Sequence, residues 1–328
     1  MAEAVARANS NVALVKYWGK RNEALNLPYT SSISITLGGL TTTAHAATRD
    51  DLRHDQVIVD GRHAPAPVTA RITAYLDMLR RMAAQPTRLI VELQSNFPVA
   101  AGLASSASTF AALATAASTV LGIALSPAQL SILARRGSGS AARSIFGGFV
   151  EWLGGELGDG SDSYAVPIAA ADHWDVGFAI AITAEEPKQI GSSAAMSHSV
   201  KQSPFFPAWL QGQEDDLDAV RRGILARDLA TVGEAMEHNC LKMHAVALAA
   251  RPSLLYWKPA TLAVIARVRE LRDECTEAYF TIDAGPQVKV LCRLAERAAV
   301  ADALCRVPGV QRVLLSQPGG GVELVESI

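Results

Sequence analysis

The sequence predicts an α+β protein of two joined domains, in which antiparallel or mixed sheets are covered by helices. The chain has 328 residues and a hydrophobic composition of 49%, which is enough for a large core and favours two domains. Its opening third is rich in strand-like segments, and later apolar runs alternate with amphipathic helical segments. These observations together indicate helices packed on sheets.

The first third is interpreted as strands joined by turns. Residues 32–37 alternate hydroxyl and aliphatic side chains, which is the period-two pattern of a half-buried strand. Gly38–Gly39 is predicted to turn the chain, and Asp60–Gly61 is a strong hairpin signal. The strands predicted in this part cover residues 12–15, 32–37, 41–48 and 56–59.

Helices and strands alternate through the remainder of the chain. Ser126–Pro127 starts a helix as an N-cap followed by a first-turn proline, and Arg251–Pro252 ends another. Predicted helices cover residues 68–82, 107–121, 214–250, 259–275 and 287–299, and a further predicted helix starts at residue 126. Predicted strands cover residues 88–94, 149–153, 175–183, 278–283 and 310–316, with a loop region at 185–203. We place the two domains at residues 1–180 and 181–328.

Net charge and composition indicate which partners and which cellular compartment to expect. A formal charge of −2 gives no field that favours nucleic acid or an anionic membrane, so anion binding has to come from local clusters. The sequence has no signal-peptide pattern at its start and no apolar run of about 20 residues. Four separated cysteines lack zinc or redox spacing, which predicts reduced thiols: Cys240, Cys275, Cys292 and Cys305. We expect a cytoplasmic enzyme or binding protein with a small-molecule partner.

The glycine-serine segment at residues 96–107 is the first candidate site. Gly102 permits close backbone approach, Ser105 and Ser106 offer hydroxyls to phosphate or magnesium, and the predicted helix that follows directs its positive end at the same place. The segment lacks the lysine of a Walker loop. A plain strand-to-helix turn with capping serines is the alternative, although two adjacent serines exceed what a cap needs.

Two further segments supply cations. Lys16 and Lys20 flank Tyr-Trp-Gly directly after an apolar strand, in a chain with only seven lysines. The segment 138–143, Ser-Gly-Ser-Ala-Ala-Arg, combines small residues with Arg143, whose guanidinium can grip phosphate oxygens in a fork. The first could also be a solvated basic strand end, and the second a flexible linker.

Asp283 is the candidate acid. It follows an apolar strand and precedes Ala-Gly-Pro, so we expect it to project from a tight turn into a cleft, where a carboxylate can orient or deprotonate a hydroxyl. An aspartate before a glycine is also common in turns and caps without a catalytic role. The histidines, among them His198, His238 and His244, have no metal-binding spacing.

Together these segments resemble the diphosphomevalonate decarboxylase family of the GHMP kinase superfamily. The likeness extends over most of the chain, and the Lys-Tyr-Trp-Gly-Lys run and the Asp-Ala-Gly-Pro turn are more specific than the glycine-serine loop, which related sugar and mevalonate kinases share. The segments that carry it are residues 11–21, 31–37, 98–107, 137–152, 191–196 and 281–286.

The resemblance implies a GHMP kinase-like two-domain fold. Its N-terminal domain would be a ribosomal-protein-like β/α unit, its C-terminal domain a ferredoxin-like helix-covered sheet, and the active site would lie in the cleft between them. The implied reaction is ATP- and Mg²⁺-dependent conversion of (R)-5-diphosphomevalonate to isopentenyl diphosphate, with release of ADP, phosphate and CO₂. A cytoplasmic homodimer that binds phosphorylated mevalonate, and neither nucleic acid nor a membrane, is also implied.

The resemblance also implies a role for each matching residue. Asp283 would orient or deprotonate the C3 hydroxyl, Lys16 would balance charge beside it, and Arg143 would hold the substrate carboxylate or a phosphate. Ser106 would lie near magnesium. The residues implied around the substrate are Tyr17, Trp18, Gly19, Lys20, Arg62, Ser138, Gly139, Ser140, Ala141, Ala142, Ser192 and Ser193. Those implied around ATP are Asn96, Ala101, Gly102, Leu103, Ala104, Ser105, Ser106 and Ala107.

Four positions depart from the usual family pattern, and more than one function remains open. Asn22 replaces an aspartate, Tyr29–Thr30 replaces an aliphatic-asparagine pair before the serines, and Ala142 replaces a cysteine. The change at Tyr29–Thr30 leaves open a substrate with a single phosphate. The same fold could also serve a mevalonate-type kinase that phosphorylates without decarboxylation, or a silent nucleotide-binding regulator.

Overall fold

A computed structural model describes residues 2–97, 105–186 and 190–327 of the chain. The strands in these ranges are β1 (Glu3–Val15), β2 (Lys20–Asn22), β3 (Leu27–Pro28), β4 (Ser32–Arg49), β5 (Gln56–Val59), β6 (Arg62–His63), β7 (Arg88–Ser95), β8 (Phe149–Trp152), β9 (Ala165–Ala169), β10 (Val176–Ile182), β11 (Ala278–Ile282), β12 (Val288–Arg293), β13 (Arg312–Ser316) and β14 (Glu323–Ser327). The helices are α1 (Ala66–Ala83), α2 (Ser105–Val120), α3 (Pro127–Gly137), α4 (Ser192–Gln202), α5 (Phe206–Gln211), α6 (Gln213–Ala226), α7 (Leu229–Leu248), α8 (Pro259–Asp273) and α9 (Arg297–Cys305). The α+β prediction is confirmed.

The first sheet is built around the long antiparallel pair of β1 and β4. Its strands follow the order β14-β1-β4-β7-β5-β6, with β8 and β9 branching from β4. Strand β5 runs parallel to β7, whereas β14 pairs antiparallel with the free edge of β1. The first sheet is therefore mixed, and it is completed by a strand that follows the second sheet in the chain.

Gly38–Gly39 does not turn the chain back, contrary to the prediction. Strand β4 runs on through both glycines, and the pairing with β1 skips from Leu37 opposite Ser10 to Thr41 opposite Asn9. The extra residues form a bulge, and Gly39 has a φ of 83°, a conformation that suits glycine. By contrast, Asp60–Gly61 does form the predicted hairpin turn, with positive φ at both residues.

Helices α1, α2 and α3 pack against one another and cover the first sheet. The alanines of α2 are buried against the strands and the neighbouring helices. Because their side chains are small, the helix can approach these elements closely. Helix α3 starts as predicted at Ser126, whose hydroxyl accepts from the Gln129 N–H in a capping box. The segment 139–145 that follows α3 is a 3₁₀ helix.

The second sheet is antiparallel and has the order β11-β12-β10-β13. The predicted helix at residues 287–299 is wrong, since residues 288–293 form β12 and the helix α9 starts at Arg297. Strand β12 lies between β11 and β10 and is buried from Val288 to Cys292. A strand buried on both faces lacks the alternation that identifies half-buried strands, so periodicity could not separate it from a helix.

Two other helical segments differ from the sequence-based expectation. The predicted loop region 185–203 contains α4, which escaped detection because its serine-rich sequence has a weak apolar stripe. The predicted helix 214–250 is two helices, because Arg227 adopts a left-handed φ of 59° and Asp228 caps α7. The proposed division after residue 180 falls within β10, and a single cut does not separate the two sheets, because β14 near the end of the chain belongs to the first sheet.

The two sheets are joined by a shared hydrophobic core. Side chains from β1 and β4 contact side chains from β10, α6 and α7, for example Leu14, Ile35, Phe178, Val220 and Val232. This contact brings the end of β1 close to the end of β11, where Asp283 lies. Among the described residues, no helix combines the length and apolar character that a membrane crossing requires.

Candidate active site

A cavity of about 890 Å³ is lined by side chains from both parts of the fold. Its lining contains the carboxylates Asp283 and Glu23. It also contains a larger number of cations, namely Lys16, Lys20, Arg71, Arg81, Arg136 and Arg143. The excess of positive charge in a concave site fits a ligand that carries several negative charges.

Asp283 lies between two buried lysines. Its Oδ1 accepts a hydrogen bond of 2.7 Å from the Lys16 ammonium, and the Lys289 ammonium lies 3.0 Å from its Oδ2. Both lysine side chains are 2% exposed, whereas that of Asp283 is 23% exposed. The carboxylate therefore faces the cavity while each of its oxygens contacts a cation.

These contacts determine the charge of the carboxylate. Burial by itself would raise the pKa of Asp283, but the ammonium groups of Lys16 and Lys289 outweigh burial and hold that pKa well below its ordinary value. Burial lowers the pKa of Lys289, an effect that the charge of Asp283 opposes. Asp283 is consequently an ionised hydrogen-bond acceptor at neutral pH.

The backbone of Lys16 is held by two buried amide side chains. Lys16 is the first residue after β1, and its N–H donates to Asn239 Oδ1 at 2.7 Å, while Gln213 Nε2 donates to its carbonyl oxygen at 3.3 Å. The amide of Asn239 donates in turn to Gln213 Oε1 and to the carboxylate of Asp216. This network, contributed by α6 and α7, fixes the position of Lys16 from the opposite part of the fold.

Arg143 is anchored in the 3₁₀ helix beside the same carboxylate. Its guanidinium donates to Ser32 Oγ at 2.6 Å and to Asn11 Oδ1 at 3.2 Å, and its side chain is 2% exposed. Burial lowers the pKa of Arg143 to about 10, although the charge of Asp283 opposes this effect. The Nε atom is buried and has no hydrogen-bond partner in the described residues. Arg143 therefore offers a fixed positive charge to an anionic group in the cavity.

Tyr17 and the serine-glycine segment form an adjoining wall. Ser138, Gly139 and Ser140 line the cavity together with Tyr17. A Cβ on Gly139 would lie 2.7 Å from the Tyr17 ring, so only glycine fits there. The Tyr17 hydroxyl is buried without a hydrogen-bond partner inside the described ranges, and burial raises its pKa above the ordinary value. A ligand oxygen could satisfy this hydroxyl.

Lys20 and the start of α4 form the rim of the cavity. The ammonium of Lys20 donates to Ser193 Oγ, and Ser192 and Trp18 also line the cavity. Burial lowers the pKa of Lys20. Gly19 has a φ of 107° and packs against Phe206, outside the lining, where its conformation directs the chain between Trp18 and Lys20.

The predicted ATP segment is brought to the cavity in part. Ser105 and Ser106, at the start of α2, line it, and the Ser138 hydroxyl donates to Ser106 Oγ at 3.1 Å. Ala107 is fully buried and outside the lining. Asn96 is also outside the lining. Its side-chain oxygen accepts a hydrogen bond from the Thr41 N–H, and its side-chain nitrogen donates to the carbonyl oxygen of Gly39, both in the bulged strand. The predicted residues Ala101, Gly102, Leu103 and Ala104 lie outside the described residues.

Four predicted substrate contacts are not brought to the cavity surface: Gly19, described above, and Arg62, Ala141 and Ala142. Ala141 and Ala142 are fully buried, and the carbonyl oxygen of Ala142 accepts from Ser131 Oγ. Arg62 is exposed on the hairpin of β5 and β6 and is not among the residues that line the cavity.

Several site residues were missed by the sequence-based interpretation. Lys289 was placed in a predicted helix, although a lysine inside the apolar run Val288–Cys292 is unusual enough to signal a buried partner. Arg71 on α1 lies 4.6 Å over the ring of Phe110 and donates to the carbonyl oxygen of Gly137. No motif identifies it, because an arginine on an amphipathic helix is normally a surface residue.

At the start of α2, the side-chain oxygens that could meet a metal ion are hydroxyls. In the described part of the chain, no three His, Cys, Asp or Glu side chains come together as a metal-binding group. The hydroxyls of Ser105, Ser106 and Ser138 are grouped at the start of α2. This donor set fits Mg²⁺ bound mainly through ligand phosphates and water, as is common for this ion.

Comparisons with known proteins agree across both parts of the chain. Residues 8–165 match the model of the diphosphomevalonate decarboxylase-like N-terminal domain, and residues 178–317 match that of the mevalonate 5-diphosphate decarboxylase C-terminal domain. The diphosphomevalonate decarboxylase of Candida albicans is 34% identical, with 94% of this chain and 90% of the relative covered.

Solved structures extend the agreement to the fold. The mevalonate diphosphate decarboxylase of Staphylococcus aureus is similar with a TM-score of 0.94 and 37% identity, over 99% of each chain. A structure described as MDDEF in complex with MVAPP, AMPPCP and magnesium has a TM-score of 0.93 and 38% identity, over 99% of this chain and 100% of the other. The GHMP kinase-like expectation is therefore confirmed. The chain belongs to the diphosphomevalonate decarboxylase family.

Proposed function

We propose that the protein catalyses the ATP-dependent decarboxylation of (R)-5-diphosphomevalonate to isopentenyl diphosphate, with release of ADP, phosphate and CO₂. The observation that carries the proposal is the ionised carboxylate of Asp283, held by Lys16 and Lys289 at the wall of a cationic cavity. Family membership supports it, as does the relative that binds MVAPP and the ATP analogue AMPPCP together with magnesium.

The first chemical step is transfer of the terminal phosphoryl group of ATP to the tertiary C3 hydroxyl. Asp283 accepts a hydrogen bond from this hydroxyl and so directs the hydroxyl oxygen toward the phosphorus of the terminal phosphate. The ammonium of Lys16 offsets the negative charge beside the reacting oxygen. The low pKa of Asp283 favours orientation of the hydroxyl over early removal of its proton. The proton leaves late, to an oxygen of the transferred phosphoryl group, as the new O–P bond forms and the bond from phosphorus to the ADP oxygen breaks. Catalysis of this step then rests mainly on positioning and electrostatics.

The second step breaks two σ bonds and forms two π bonds, one in the alkene and one in CO₂. The C3–O bond breaks, phosphate leaves with the electron pair, and positive charge builds at C3. The bond between C2 and the carboxylate carbon then breaks, and its electron pair forms the alkene as CO₂ departs. Arg143 is placed to hold the substrate carboxylate by its fixed charge, and the Asp283 carboxylate stabilises the charge at C3.

The phosphate groups would occupy the cationic and hydroxyl-lined surfaces of the cavity. Tyr17, Lys20 and Ser138–Ser140 would contact the substrate diphosphate, together with Ser192 and Ser193. Ser105 and Ser106 would contact ATP and its Mg²⁺, which neutralises phosphate charge when bound.

A monophosphorylated substrate is the second candidate, raised by the departure at Tyr29–Thr30. Neither residue is among those that line the cavity: Tyr29 packs edge-on against Phe206, and the Thr30 hydroxyl accepts a long hydrogen bond from Gln213. This placement weakens the reason for doubting a diphosphate, and the cations of the cavity favour the more highly charged substrate.

The experiment supplies ATP, Mg²⁺ and either 5-phosphomevalonate or 5-diphosphomevalonate labelled at the carboxylate. We expect ADP and labelled CO₂ in equal amounts from the diphosphate, with kcat/KM higher than for the monophosphate. Formation of ADP without CO₂ would assign the protein to the kinases. Absence of both products, with retained ATP binding, would support a silent nucleotide-binding regulator.

We also propose that the protein is a cytoplasmic homodimer, as the family resemblance implies. The free thiols of the described cysteines support a reducing compartment. Sedimentation equilibrium of the protein tests the dimer, and a monomer at micromolar concentration would contradict it. Fractionation of the source cells tests the location.

A further inference from the structure

Lys289 contacts Asp283 from outside the cavity. Its ammonium lies 3.0 Å from Asp283 Oδ2, its side chain is 2% exposed, and it is not among the described residues that line the cavity. Lys16, in contrast, contacts Oδ1 and does line the cavity. Lys289 therefore supports Asp283 from behind, without belonging to the described cavity lining.

The two lysines reach the carboxylate from different parts of the fold. In the β11–β12 hairpin, Lys289 pairs with Thr281 and Val288 pairs with Ile282, the residue before Asp283. Lys289 and Asp283 are thus held together by one local hairpin. Lys16 comes from the end of β1, so its contact with Asp283 depends on how the two sheets pack.

A carboxylate that contacts a single cation is free to rotate and to present either oxygen, whereas contacts at both oxygens fix its orientation. We propose that Lys289 is a positioning residue: it holds Asp283 by Oδ2, so that Oδ1 faces the substrate hydroxyl on the same side as Lys16. This role rests on the proposed decarboxylation and adds to it a residue that never touches the substrate.

The other charged and titratable groups around Asp283 define what removal of Lys289 should change. Lys16 and Arg143 contribute positive charge. On α7, burial raises the pKa of the Cys240 thiol and lowers the pKa of His244 to about 3, so both are neutral at working pH. Loss of Lys289 leaves burial opposed by fewer cations, and the pKa of Asp283 should rise.

The kinetic test compares Lys289→Met with Arg272→Met. Arg272, on α8, pairs with Glu237 on α7, is half-buried and is not part of the cavity lining, so its variant controls for loss of an ion pair. For Lys289→Met we expect kcat to fall about 10²-fold with both KM values within about twofold, and the acid limb of the pH–rate profile to move to higher pH. Arg272→Met should lower the melting temperature and leave kcat and the acid limb unchanged. Equal effects in the two variants, or an unchanged acid limb, would overturn the proposal.

A second readout does not need activity. The carboxyl carbon resonance of Asp283, assigned by its loss in Asp283→Asn, is titrated by ¹³C NMR in the wild type, Lys289→Met and Lys289→Arg. We expect titration at higher pH in the methionine variant and a shift back toward the wild type with arginine; the same midpoint in all three refutes the contact. If the methionine variant does not fold, Lys289→Gln takes its place. A wild type that releases no CO₂ defeats the proposed function but leaves this titration as the test of Lys289.

Discussion

Lys16 and Lys20 are close in sequence but lie in two different environments. Lys16 is buried, its ammonium pairs with Asp283, and its backbone is held by Asn239 and Gln213. Lys20 lies at the rim, donates to the Ser193 hydroxyl, and makes no ion pair within the ranges that the structure describes. The fold thus positions the interior cation before any ligand arrives, whereas the charge of the rim cation remains available to a ligand.

This difference predicts that the two kinds of cation affect different kinetic constants. Groups whose positions are fixed by ion pairs and buried amides stabilise charge that develops during the reaction, so their loss should lower kcat. A cation that meets only a hydroxyl should bind a phosphate equally in the ground state and the transition state, so its loss should raise KM. The following variants test this prediction.

Asp283→Asn should have the largest effect. The amide keeps the shape of the side chain but loses the negative charge between Lys16 and Lys289, and we expect kcat to fall by about 10³-fold or more. ATP affinity, measured by calorimetry, should stay within a few-fold. The control is Asp55→Asn, which removes a buried carboxylate paired with Arg80 away from the cavity. A turnover near the wild-type value would remove Asp283 from the chemistry.

Asn239→Ala should have the next largest effect. It takes the acceptor from the Lys16 N–H and leaves Gln213 and Asp216 without a shared donor, so Lys16 can shift relative to Asp283. We expect kcat to fall about 10-fold to 100-fold with KM nearly unchanged, because small displacements of catalytic groups are costly. Asn9→Ala, which removes an exposed hydrogen bond to Gly320, is the control. A rise in KM with unchanged kcat would show that the hydrogen-bond network around Lys16 serves substrate binding instead.

Lys20→Met should raise KM for the phosphorylated substrate about 10-fold and change kcat less than about threefold, because it removes a phosphate contact common to both states. Burial lowers the pKa of Lys20, so the ammonium loses its proton at a lower pH than an ordinary lysine does. In the wild type, KM should accordingly rise on the alkaline side before the ordinary lysine pKa is reached. The variant should lack this alkaline rise, and a persisting rise would assign it to another group.

Arg62→Ala should have the smallest effect. Arg62 is exposed and not part of the cavity lining, so both kcat and KM should stay within about twofold of the wild type. Steady-state assays with the diphosphorylated substrate measure this directly. A KM increase similar to that of Lys20→Met would instead support the substrate contact that the resemblance implies, and would require the hairpin to close over the ligand.

The sequence identified the site where strands end in unusual residues. Lys16 follows β1 and Asp283 follows β11, and both positions could be predicted because an apolar run that stops at a charged residue marks a strand end. Lys289 escaped because β12 is buried on both faces, and a continuous buried run cannot be told from a helix by periodicity. Arg71 and Arg136 escaped because only tertiary packing turns a basic helix face toward a cavity.

The pairing of β14 with β1 has a consequence for how the chain assembles. Lys16 directly follows β1, and the start of this strand, at residues 4–7, pairs along one edge with β14, which is synthesised after the whole second sheet. While a nascent chain is growing, the N-terminal sheet therefore has an open edge that could pair with a neighbouring chain. The residue that supports Asp283 thus adjoins a strand whose neighbours are complete only late in translation.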